Sequence, residues 1–150
     1  MLIERITEDM KQAMKSGDKL KLATIRMLRA AIKDKQIKLG GEPSDTVIHA
    51  LISRMVKQRR DAARQFAAGG RHDLEARELA EAELLEVYLP EQMSEQELLR
   101  LIDQVIAETH AAGMRDMGRV MGGLKSKVVG RADMGRVNAL VKKRLGTCKD

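Results

Sequence analysis

Apolar residues recur at intervals of three and four along nearly the whole chain. That periodicity, broken only where glycine and proline intervene, admits a helical fold and leaves no stretch of useful strand alternation. Ile3, Ile6, Met10 and Ala13 mark one face of a first helix, which Gly17 and Asp18 end and restart. From Asp18 to Leu39, the residues Ile25, Leu28, Ile32 and Leu39 fall within about 60° of one another at about 100° per residue, while Leu20 and Met27 lie on another side. A helix apolar on more than one side suits a central position. Pro43, in Gly40-Gly41-Glu42-Pro43-Ser44, disfavours helix before it, and Ser44 or Asp45 can cap the helix after it. This third helix, striped by Ile48, Leu51, Ile52, Met55, Ala62 and Phe66, runs to Ala68. Gly69-Gly70 then supplies the left-handed residue that helix C-termini prefer.

Residues 71 to 89 read as an acidic helix, with Asp73, Glu75, Glu78, Glu81, Glu83 and Glu86 around Leu74, Leu79, Leu84, Leu85 and Tyr88, and Pro90 ends it. Ser94 and Glu97 form a capping box, and Met93 and Leu98 a hydrophobic staple, so a new helix starts there. This start sets the expected domain boundary: an N-terminal bundle of about four helices over 1–92 and a three-helix C-terminal domain over 93–150. The fifth helix is expected from Glu95 to Ala112, stopping at Gly113. Two shorter helices come after it, opening on the same five residues, Asp116-Met117-Gly118-Arg119-Val120 and Asp133-Met134-Gly135-Arg136-Val137, each Asp a plausible N-cap. The fold class is all-α and multihelical.

Signals for catalysis or metal binding are missing. His49, His72 and His110 fall on three different predicted helices, and no His pairs with another at i+4. Cys148 has no partner, which rules out an internal disulfide and points to a reducing compartment, the cytoplasm. No phosphate-loop motif follows a strand, and no catalytic triad, cofactor site or metal site is expected. No run of 18 apolar residues suggests a membrane span. With one Tyr, one Phe and no Trp, the chain also lacks the aromatic surface that base-stacking modules use.

Charge is more informative. The 28 Lys and Arg against 22 Asp and Glu are unevenly placed: residues 113–149 hold 10 basic and 2 acidic side chains. Such a concentration is the footprint of a polyanion-binding module. Its candidate contacts are Arg119, Lys125, Lys127, Arg131, Arg136, Lys142 and Lys143. Gly118, Gly122 and Ser126 make a nearly bare strip at i, i+4, i+8, suited to close helix packing or to a sugar-phosphate chain with Lys125 and Lys127 at its edges. Lys57, Arg60 and Arg64 form a solvated row on the third helix. Arg59 falls inside the apolar stripe, where an unpaired guanidinium would cost several kcal/mol, so it is expected either to pair with a carboxylate, for which the acidic fourth helix is a source, or to snorkel to the edge, the ion pair being preferred.

Several segments together resemble the YqeY family: Arg26-Met27-Leu28-Arg29-Ala30-Ala31-Ile32-Lys33, Lys57-Gln58-Arg59-Arg60-Asp61, Phe66 through Leu74, Tyr88-Leu89-Pro90 with Ser94-Glu95, and Asp116 through Met121. Gly130-Arg131-Ala132-Asp133 and Val141-Lys142-Lys143 extend the likeness over essentially the whole chain. That family is similar to the helical tail of the GatB subunit of glutamine-dependent tRNA amidotransferase. The resemblance implies a tRNA-associating module, labelled by similarity a carbon-nitrogen ligase with glutamine as amido donor, though this sequence shows no groups able to do that chemistry unaided. The alternative is an interaction module that docks on an amidotransferase or aminoacyl-tRNA synthetase without binding RNA.

Overall fold

Helices end and restart where the sequence places its stop and cap residues. A computed structural model describes residues 1–147, and Cys148 lies outside them. Seven α-helices run in order: α1 (Leu2–Ser16), α2 (Lys19–Leu39), α3 (Asp45–Ala68), α4 (His72–Glu86), α5 (Glu95–Thr109), α6 (Met117–Val128) and α7 (Met134–Thr147). Among the described residues there is no strand. Gly17, Gly40 and Gly70 take the left-handed conformation that a Cβ penalises. Asp18, Ser44 and Ser94 accept the backbone N–H groups of Lys21, Val47 and Glu97 at 3.1–3.3 Å.

The chain forms two compact units, Met1–Pro90 and a second from Glu91 onward. In the first, Ile6, Ile25, Leu28, Ile48, Ile52 and Leu85 make a single core at which α2 meets α1, α3 and α4. Each such side chain contributes roughly 2 kcal/mol on leaving water. Burial along α2 stops at Ile32. Leu39, expected on the buried stripe, is 54% exposed. The reason is length: α1, 15 residues, folds back along α2, which has 21, and leaves its last turns uncovered. The acidic helix likewise ends at Glu86, short of residue 89, and the chain continues in turns to Pro90.

Two polar ties fix the first unit. Arg59 bonds the Met27 thioether and lies 3.5 Å from a Glu78 oxygen and 3.4 Å from Glu81, so α4 does supply the counter-charge that the buried stripe demands. Arg77 adds a second cation to the buried Glu81, at 3.5 Å. At the other tie Tyr88, buried, donates its hydroxyl to Asp9 at 2.6 Å while the Arg5 guanidinium sits 5.0 Å from the ring centre. Burial first, then the Asp9 hydrogen bond, hold the Tyr88 hydroxyl above the ordinary tyrosine range.

In the second unit Leu98, Ile102, Val105, Val120, Leu124, Val137 and Val141 form the core, and Met93 packs against it. Three local expectations are corrected here. α5 ends at Thr109, not Ala112, because His110 takes the left-handed conformation at φ 54°. Asp116 does not cap α6; its carboxylate turns back to accept the Ala112 N–H at 2.8 Å, after a short 3-10 turn over Met114–Asp116. Asp133 does act as a cap, accepting the Gly135 N–H at 3.2 Å, so the two five-residue repeats begin their helices differently. Close helix packing falls at Gly123, where an added Cβ would stand 2.9 Å from Val105 Cγ1, and not at Gly118 or Gly122, where it would meet open space.

These contacts set the stability of particular variants, read by denaturant unfolding. Arg59→Met should cost about 2–3 kcal/mol, since it leaves buried Glu81 with one exposed partner; an unchanged midpoint would show the cluster to be inert. Gly122→Ala should gain roughly 0.5–1 kcal/mol from helix propensity, whereas Gly123→Ala should lose about 1 kcal/mol against the short, stiff Val105. Equal effects would refute the close approach. Because the folded state raises the Tyr88 pKa, its contribution is complete below the unfolded value near 10 and declines as pH rises above it. Stability of the wild type should therefore fall more steeply than that of Tyr88→Phe above pH 10.

Candidate nucleic-acid interface

The second unit brings its cations onto three short helices, and α5 decides how many of them remain uncompensated. Its Glu95 reaches Arg136 at 2.9 Å, Asp103 reaches Arg144 at 3.2 Å and Glu108 reaches Lys127 at 3.8 Å. Arg119 pairs with Asp116 at 2.9 Å. The Asp116 carboxyl is held below its usual range, chiefly by the Ala112 N–H and also by Arg119. Arg131 also serves the fold. Its Nε donates to the Glu91 carbonyl at 3.0 Å while its own carbonyl accepts from Met93 N at 2.9 Å, tying the entry of the unit to the turn before α7.

Lys125, Lys142 and Lys143 are exposed and make no ion pair among the described residues. Lys143 lines a cleft of about 180 Å³ between α5 and α7, with Glu95, Leu99, Leu140 and Arg144. The seven candidates thus divide into three paired with carboxylates, one tied to backbone and three uncompensated. The pairs are solvent-accessible, 44–55% exposed on the basic side. Ion pairs of that kind contribute about 0–1 kcal/mol, so a phosphate competes readily for the same cations.

Lys125 falls within about 20° of the Gly118 direction on the helical wheel, and Gly122 lies within about 60° of Lys125. Gly118, Gly122 and Ser126 are all exposed, so this lysine borders backbone that no helix covers. Lys127 points roughly to the opposite side of α6 and meets Glu108, so it does not edge the strip as the sequence suggested. Sequence reasoning missed the acceptors Glu95, Asp103 and Glu108. Their signal was present in part: α5 carries four carboxylates, Glu95, Glu97, Asp103 and Glu108, beside two basic helices, and three of the four meet cations there.

Of the histidines, His72 contacts Glu75 at 3.0 Å through Nδ1, and His110 is a helix cap and not a helical residue. Among the described residues no group of three or more His, Cys, Asp and Glu is placed to hold a metal ion, and no helix is long and apolar enough to cross a membrane.

The family described as Yqey-like protein matches residues 3–145. A protein of Lachancea thermotolerans named altered inheritance of mitochondria protein 41, mitochondrial, is 36% identical over 88 residues, 58% of this chain and 47% of that protein. Its namesakes in Saccharomyces cerevisiae and Eremothecium gossypii are 35% identical over 82 residues and 36% over 88, covering 44% and 48% of their own lengths. The chain spans about half the length of the curated relatives it matches. With the family match running through both helical units and nearly from end to end, the chain belongs to the YqeY family.

Proposed function

We propose that this protein is a non-catalytic tRNA-associating helical module, related to the GatB tail of tRNA-dependent amidotransferase and acting in the cytoplasm; the curated relatives are named as mitochondrial proteins. One observation carries the reading. Lys125, Lys142 and Lys143 stand exposed without carboxylate partners among the described residues, and Lys125 borders the uncovered backbone of Gly118 and Gly122. Cations beside accessible backbone suit phosphate and ribose, and the near absence of aromatic side chains leaves shape and charge as the means of recognition. The chain's part is to hold the RNA, with any carbon-nitrogen ligation supplied by partner subunits.

Docking on an amidotransferase or synthetase is the second reading, and Met114 and Met134, both exposed, favour it. Filter binding of tRNA and duplex DNA between low and physiological salt separates the two. RNA binding requires a linear fall of log affinity with log salt, and Lys125→Gln/Lys142→Gln/Lys143→Gln should flatten that slope by about 2 units. Failure to retain tRNA at low salt would remove the RNA reading and leave the docking one.

A further inference from the structure

α2 is the most cationic helix of the chain. Lys19, Lys21, Arg26, Arg29, Lys33, Lys35 and Lys38 stand against Asp34 alone. Among the described residues none of the seven meets a carboxylate; Arg29 rests on the Met10 thioether at 3.0 Å, which is a weak, uncharged acceptor. Of the acids of the neighbouring α4, Glu78 and Glu81 are engaged on Arg59 and Glu86 on Arg60.

Between α1 and α2 lies a groove of about 410 Å³, floored by Ile3, Ile6 and Ile32 and rimmed by Arg26, Arg29 and Lys33. We propose that this groove is a binding track for the sugar-phosphate backbone of RNA, with Arg26, Arg29 and Lys33 on successive phosphates and the isoleucine floor under the sugars. The inference rests on the reading of the chain as an RNA-associating protein, and places a contact surface in the first unit that is separate from the lysines of α6 and α7.

The occupant is argued from the shape of the charge. A pocket for a small phosphate gathers its polar groups onto one point. Here the cations are strung out: Arg26, Arg29 and Lys33 line about 10 Å of the groove, and Lys19, beyond its lining, continues the Arg26–Lys33 row at the same seven-residue interval to about 21 Å of helix. A linear array of that length matches a chain of phosphates and exceeds what a single phosphate can occupy. Glu42, which follows α2 in sequence, is the carboxylate among the groove's lining residues and opposes phosphate where it stands.

The test compares tRNA affinity of the full-length wild type, Arg26→Gln/Arg29→Gln/Lys33→Gln and Lys125→Gln/Lys142→Gln/Lys143→Gln across a salt series, each variant shown folded by circular dichroism. The three α2 side chains are exposed, so the fold should survive. The α2 variant should lose about 2 units of salt slope and on the order of 10- to 100-fold in affinity at 0.1 M salt. Arg26→Lys/Arg29→Lys/Lys33→Arg, which keeps the charge, should restore most of it. A wild type that binds while the α2 variant binds equally well overturns the groove and leaves the RNA reading standing; a wild type that does not bind removes both. Saturable binding of inorganic phosphate or adenosine monophosphate, lost in the α2 variant, would mark a small-ligand pocket and overturn the track.

Discussion

Whether a carboxylate stands within reach of each cation determines what this molecule can offer a partner. Each unit contains one acidic helix, and each acidic helix is committed to particular neighbours. α4 gives Glu78 and Glu81 to Arg59 and Glu86 to Arg60, while α5 gives Glu95, Asp103 and Glu108 to Arg136, Arg144 and Lys127. The Arg59 cluster is the most deeply buried of these groups of ion pairs. A guanidinium three-quarters withdrawn from water between α3 and α4 needs its counter-ions, and Glu81, still more buried, needs its cations. Once these commitments are made, the cations of α2 and Lys125, Lys142 and Lys143 are among those that meet no carboxylate among the described residues.

Much of this was legible in the sequence. Gly17, Gly40, Gly70, Asp18, Ser44 and Ser94 act through their own backbone and side chain within a turn, so local chemistry is enough to place them. Arg59 was legible for a different reason: a cation inside an apolar stripe forces a counter-charge, and the next helix is acidic. The fate of Asp116 was not, because its carboxylate had a choice between α6 ahead and the Ala112 N–H behind, and only the end of α5 at His110 decides it. Nor could spacing single out Gly123 from Gly122, since which glycine faces Val105 depends on the crossing of α5 and α6.

The candidate interface was half legible for a related reason. Counting charge over residues 113–149 finds ten cations but stops short of the acids on α5, which the fold returns to them. Counting over the first 70 residues spreads the excess of α2 across three helices and hides it. Charge has to be summed helix by helix and then corrected for the helices that pack alongside. For α2, no carboxylate of a neighbouring helix stands within ion-pair distance among the described residues. The exposed pairs of the second unit lie between these extremes, weak enough to open toward a phosphate and strong enough to lower the local potential when nothing is bound.

Protection of individual lysines from acetylation on adding tRNA, read by mass spectrometry, addresses the distribution of available charge most directly. Lys33 should become protected while Lys35, roughly on the opposite side of α2, keeps its reactivity, and Lys125, Lys142 and Lys143 should be protected more than Lys127. Equal reactivity of Lys33 and Lys35 with saturating tRNA, or protection confined to Lys127, would contradict this distribution of charge.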